Sequence, residues 1–97
     1  MSDVDAIVDD DAGNRVAAGL SGAALVHIVK SIVDDPEAVV VDVDERGSEV
    51  TFEVHVAPDD KGKVIGKRGR VAMSIRTVVR AIGAREGVNV NVDIADD

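Results

Sequence analysis

Val64-Ile65-Gly66-Lys67-Arg68-Gly69-Arg70 is the stretch on which the fold turns. Two glycines bracket two cations, an apolar pair leads in, and a periodic segment follows. Glycine has no Cβ, so a loop built this way can bring its backbone close to a phosphate chain. After the loop, Val71, Ile75, Val78, Val79 and Ile82 recur at helical spacing. This predicts a helix from about Arg70 to Ile82, ending near Gly83 or Gly87, with Arg70, Arg76 and Arg80 on the side opposite the apolar stripe. Before the loop, Pro58-Asp59-Asp60 offers Asp59 as an N-cap. A short helix from Asp60 or Lys61 to Ile65 follows from it.

Further out the period changes from helical to alternating. Val39, Val41 and Val43 alternate with Val40, Asp42 and Asp44, and Val50, Phe52, Val54 and Val56 alternate with Thr51, Glu53, His55 and Ala57. With Asp44-Glu45-Arg46-Gly47 as turn chemistry between them, the two runs read as a β-hairpin. Val88, Val90, Val92 and Ile94 alternate with Asn89, Asn91 and Asp93 in a third strand. At the other end, Leu25, Ile28, Val29 and Ile32 line one face of a helix over Ser21–Val33, stopped by Asp34-Asp35-Pro36 because proline disfavours helical geometry in the residue before it. Residues 1–19, with five aspartates and little apolar periodicity, read as a disordered acidic tail, and 20–97 as one folded domain. The order helix, strand, strand, helix, helix, strand, with one apolar face per strand, calls for an α+β two-layer sandwich: a three-stranded sheet on one side and helices on the other. The direction of the third strand is not readable from local pattern.

Composition bounds the chemistry. A chain of 97 residues supports one compact core, and the absence of cysteine removes disulfides and thiolate chemistry. The acidic N-terminus does not read as a secretory signal, and no apolar run reaches the length of a membrane span, so the expectation is a cytoplasmic protein with no membrane partner. A net charge of −8 argues against a nucleic-acid partner until the charges are located. From Lys61 to Arg85 there are eight cations and no acid, so all 19 acids lie elsewhere. Fields are local over roughly 8–10 Å at physiological salt, and a basic stripe on an acidic protein can still hold an anion.

These motifs resemble a type II KH domain, in which a Gly-x-x-Gly loop clamps the backbone of single-stranded nucleic acid. More closely, Leu25 through Ile94 resembles the small single-domain bacterial KH proteins of the KhpA (YlqC) family. The resemblance is carried by Ile32-Val33-Asp34-Asp35-Pro36, by Val56-Ala57-Pro58-Asp59-Asp60-Lys61-Gly62-Lys63-Val64-Ile65-Gly66-Lys67-Arg68-Gly69-Arg70 and by Ile75-Arg76-Thr77-Val78-Val79. It covers about three quarters of the chain, and its central run is specific. The long acidic tail and the overall acidity depart from the pattern. The resemblance implies that Gly66 and Gly69 admit the sugar-phosphate chain and that Lys67 and Arg68 sit on phosphates. Val64 and Ile65 would form an apolar wall for bases, with Arg70, Arg76 and Arg80 on the backbone side. It also implies partners: single-stranded RNA, a second copy of the chain, and a larger KH-containing protein of the KhpB (Jag, EloR) kind. Its implied roles are RNA chaperoning and the control of cell elongation and wall synthesis.

Competing chemistries fit less well. Gly62-Lys63-Val64-Ile65-Gly66-Lys67-Arg68 approaches a P-loop, but three residues separate the glycines where four are required, and Arg68 stands where a Ser/Thr would hold magnesium. His27 and His55 read as surface or boundary residues, and Asp59-Asp60 as capping groups rather than an acid–base pair. No catalytic constellation, metal site or cofactor is expected, and the chain reads as a non-enzyme. Phe52, the only aromatic, lies at a core position of its strand, so bases have no aromatic platform to stack on. Two functions stay open: an RNA-binding module, and a protein-interaction adaptor whose KH fold serves dimerisation around an idle loop.

Overall fold

The computed structural model describes residues 12–96, in the order α1 (Ala12–Ile32), β1 (Val40–Arg46), β2 (Glu49–His55), α2 (Lys61–Ile65), α3 (Arg70–Arg85) and β3 (Asn89–Ile94). Short 3-10 turns at Pro36–Ala38, Pro58–Asp60 and Lys67–Gly69 link them. The element order is the expected one. β1 and β2 pair antiparallel, Val43 opposite Phe52, and β2 and β3 pair parallel, Phe52 opposite Val92. The described strands form one mixed sheet in the order β1-β2-β3. The long connection through α2 and α3 permits the parallel pairing, since parallel neighbours need a crossover rather than a tight turn.

Alternation along the strands sorts the residues as the period predicts. Val50, Phe52 and Val54 of β2 and Val90 and Val92 of β3 are buried, while Glu49, Glu53, Asn89 and Asp93 are exposed. The apolar face packs on Leu25, Val29 and Val33 of α1, Val64 of α2, and Ile75 and Val79 of α3, which together make the core. The other face carries Asp42, Asp44, Glu49, Glu53 and Asp93, with Arg46 and His55 among them. There His55 Nε2 lies 3.0 Å from Asp42 Oδ2 and 3.3 Å from Glu53 Oε1, a half-buried boundary residue as expected.

Three expectations change. First, α1 begins at Ala12 rather than Ser21, so residues 12–19, read as tail, are helical; residues 1–11 lie outside the described residues. Ala12, Ala17 and Ala18 have high helix propensity, and extending an existing helix avoids the nucleation cost. Second, α3 runs to Arg85, and Gly87 (φ 81°), not Gly83, ends it. Gly87 N–H bonds Ala84 O at 3.1 Å and Val88 N–H bonds Gly83 O at 2.9 Å, the two bonds of a Schellman termination. Third, Val78 is 46 % exposed instead of lying on the buried stripe, which Ala72, Ile75, Val79 and Gly83 form.

Candidate nucleic-acid interface

The Gly66–Gly69 loop joins α2 to α3 through a tight 3-10 turn. Gly66 has φ 76° and ψ 174°, a region essentially restricted to glycine. A Cβ there would overlap Val71, coming 2.8 Å from its Cβ and 2.9 Å from its backbone N. Arg68 (φ 57°) and Gly69 (φ 73°) are both left-handed, which is uncommon for a side-chain-bearing residue such as Arg68. Within the turn, Gly66 N–H goes to Gly62 O at 2.8 Å, Gly69 N–H to Gly66 O at 3.2 Å, and Arg70 N–H to Lys67 O. The N–H groups of Lys67 and Arg68 take no acceptor in this pattern among the described residues. They stand beside the start of the 16-residue α3, whose unbonded N–H groups and positive dipole end favour an anion.

The candidate residues divide into groups. Lys67, Arg68 and Arg70 are exposed, and no described ion pair engages them. Arg80 is exposed on the outward side of α3, about 15 Å along the axis from Arg70. Ile65 is 41 % exposed and serves as an apolar surface at the loop. Val64 does not: it is fully buried in the core, so of the two residues expected to form an apolar wall only Ile65 is exposed. Arg76 also differs from expectation. At about 100° per residue it lies one position past Ile75, on the flank of the buried stripe rather than opposite it. Its Nε donates to Val92 O at 2.9 Å, on the edge of β3 that does not pair with β2. Met73, which sequence reasoning passed over, is 62 % exposed and lies on the outward side of α3 near Arg70 and Arg80.

Asp60 was also missed in its true role. Read as a capping neighbour, it is 2 % exposed and makes no cap bond to α2. Its Oδ1 accepts the Asp34 N–H and its Oδ2 the Asp35 N–H, each at 3.1 Å. The Asp34 N–H, then the Asp35 N–H and Lys63, hold the Asp60 carboxyl below its ordinary range against the opposing effect of burial. Lys63 donates to the Asp34 carboxylate and lies 3.8 Å from Asp60 Oδ1. These contacts, led by the bond to Asp34, push its ammonium pKa up. The stretch that is acid-free in sequence is therefore not acid-free in space at Lys63. A second carboxylate, Glu86 at the end of α3, accepts N–H bonds from Leu20 at 2.8 Å and Ser21 at 3.1 Å, both in α1. Burial pushes the Glu86 carboxyl up, and these two N–H groups with the Ser21 hydroxyl outweigh it and leave the carboxyl below its ordinary value.

The model of the KH domain of KhpA/KhpB matches residues 23–94. The RNA-binding protein KhpA of Mycobacterium tuberculosis is 48 % identical over 73 residues, 75 % of this chain and 88 % of the relative. That of Streptomyces coelicolor is 51 % identical over 73 residues, 75 % of this chain and 89 % of the relative. The Listeria monocytogenes KhpA is 39 % identical over 72 residues, 74 % of this chain and 95 % of the relative. Among solved structures, Era in complex with MgGDPNP and nucleotides 1506–1542 of 16S ribosomal RNA superposes with a TM-score of 0.58 at 18 % identity, over 87 % of this chain and 31 % of that one. Aquifex aeolicus Era bound to GDP and AlF4 has the same TM-score at 17 % identity, over 100 % of this chain and 37 % of that one. At those identities the likeness is one of fold. The α-β-β-α-α-β order, the mixed sheet and the matched residues agree: the chain belongs to the KhpA/KhpB family of KH domains.

Proposed function

We propose that this chain binds single-stranded RNA, gripping the sugar-phosphate backbone with the Gly66–Gly69 loop and serving as an RNA chaperone or post-transcriptional regulator in the cytoplasm. The observation that carries the reading is the loop itself: a left-handed backbone built on Gly66 and Gly69, two N–H groups that take no acceptor among the described residues, and exposed Lys67, Arg68 and Arg70 at the start of α3. The KhpA relatives, named as RNA-binding proteins, support it. Ile65 and Met73 offer bases aliphatic surface, and the open edge of β3 offers main-chain donors and acceptors to base edges. Without aromatic stacking, backbone grip outweighs base reading. The function is one of binding, not catalysis.

Replacing Lys67 and Arg68 with Asp tests this by fluorescence polarisation of a labelled single-stranded RNA. Affinity collapses while circular dichroism and melting stay close to wild type, since both side chains are exposed. The wild-type chain, neutralising about three phosphates, shows a slope of roughly −2 in log K against log salt. Unchanged affinity in the folded variant would sink the reading.

A second reading has one observation in its favour. Leu20, 69 % exposed, lines a groove between α1 and α3 with Ala23, Ala24, His27, Ile82 and Arg85, and Val78 of α3 is 46 % exposed. Such a surface suits pairing with a second copy or with a larger KH-containing partner, and pairing would offset the weak grip of one short site by raising the effective concentration of the second. RNA polarisation on the same Lys67 and Arg68 variant, with light scattering to confirm that its association state is kept, separates the two. An adaptor keeps both its RNA affinity and its association state, whereas the RNA module loses only the first.

A further inference from the structure

We propose that Asp60, together with Asp34 and Lys63, is a positioning device that aims the Gly66–Gly69 loop, and that Lys63 belongs to this device and not to the RNA-contacting surface. The inference rests on the RNA reading above.

α2 spans only Lys61–Ile65. A helix so short has no stability of its own, so its direction is set by what anchors its ends. At the far end the anchors are Val64, fully buried in the core, and the close contact of Gly66 with Val71. At the near end the anchor is Asp60, at the junction of the Pro58–Asp60 turn and α2, with its N–H on Ala57 O at 2.8 Å. Its two carboxylate oxygens are divided between two successive N–H groups, those of Asp34 and Asp35, where the chain leaves α1. A buried carboxylate is tolerated only when its acceptors are filled, which confines Asp60 to the one place where both donors reach it. Lys63, one turn into α2, closes the assembly by bridging to the Asp34 carboxylate beside Asp60. α2 is thereby fastened to the end of α1 at two points. Gly66 lies six residues beyond Asp60, about 9 Å along the axis, so a tilt at the fastened end is carried to the loop.

Electrostatics provides the discriminating measurement. Asp34→Asn and Asp60→Asn each remove a negative charge near a basic surface, and by charge alone each would tighten RNA binding. Positioning predicts the opposite. RNA affinity of the full chain, measured by polarisation at several salt concentrations well below the melting temperature, falls about fivefold in both variants and in Lys63→Gln. The slope against log salt stays at the wild-type value in all three, because no phosphate contact is lost. Were Lys63 a phosphate contact, Lys63→Gln would make that slope shallower by about 0.7. Tighter or unchanged binding by folded Asp34→Asn, or that loss of slope in Lys63→Gln, overturns the proposal. Asp34 is 81 % exposed and keeps its backbone donor when substituted, so Asp34→Asn gives a folded test even if Asp60→Asn does not fold. The Lys67 and Arg68 double substitution is run alongside. If it leaves RNA affinity unchanged, the RNA reading fails; if it abolishes binding while Asp34→Asn and Asp60→Asn do not weaken it, only the positioning role fails.

Discussion

At the residue scale, the two glycines of the loop are not equivalent. A Cβ on Gly69 would meet nothing within 4 Å, so its requirement is the left-handed backbone alone, and Gly69→Ala costs about 1–2 kcal/mol. Gly66 has a backbone conformation that side chains scarcely adopt, and its missing Cβ makes room for Val71. Gly66→Ala therefore adds an overpacking cost of about 1–3 kcal/mol to the backbone cost. Urea denaturation of both variants checks the order, and an equal or reversed ranking would contradict this account of Gly66. Arg68 shows the same division of labour, its left-handed backbone held between the two glycines so that the cation projects from the turn. The motif was legible as two glycines around two cations; which glycine answers to packing and which to φ was not, because Val71 meets Gly66 only through the fold.

At the element scale, α3 shows how far periodicity carries. Its existence, its start at Arg70 and the inward positions Ile75 and Val79 are consequences of spacing. Gly83 and Val78 are not. Gly83 is buried in the last turn, where a Cβ would overlap the Val90 side chain and lie 3.4 Å from Val88 Cγ2. It reads in sequence as a helix stop because glycine is a poor helix former, yet here it lets α3 approach β3. Gly83→Ala gains about 1 kcal/mol in helix propensity and loses about 1–3 kcal/mol to overpacking. The melting temperature accordingly falls; a rise would show that the α3–β3 spacing relaxes freely. Val78 is apolar and near the stripe, but the sheet is narrow and the neighbouring helices leave that flank of α3 uncovered. Arg76 lies on the other flank, and the free carbonyl of Val92 takes its Nε–H.

At the scale of the molecule, two carboxylates from elsewhere in the chain bracket the stretch from Leu20 to Asp35: Glu86 at Leu20 and Ser21, and Asp60 at Asp34 and Asp35. Both carboxyls are held below their ordinary values. Their stabilising effect is fully present above those ordinary values and is lost as pH falls through the lowered ones. Lys63 has the opposite sign, contributing below its ordinary value and losing the effect as alkaline pH passes its raised one. Urea midpoints followed from pH 7 to pH 3 thus fall in the wild type and fall less steeply in Asp60→Asn and Glu86→Gln. Equal steepness in all three would show that other carboxylates govern the acid side. The same scale resolves the paradox of an acidic chain with a basic site, since five acids occupy the exposed sheet face while Lys67, Arg68 and Arg70 gather at the α2–α3 turn.

By itself the sequence determined the element order, the inward face of each strand, the position of the loop and the family, because these depend on periods of two and 3.6 and on glycine and proline chemistry between neighbours in the chain. Only the tertiary structure decided the parallel pairing of β3, the burial of Val64, the turning of Arg76 to the sheet edge, and the capture of Lys63 by Asp34 and Asp60. Each of those depends on groups far apart in the chain, as Asp34 and Lys63 are, and local spacing carries no information about which of them meet.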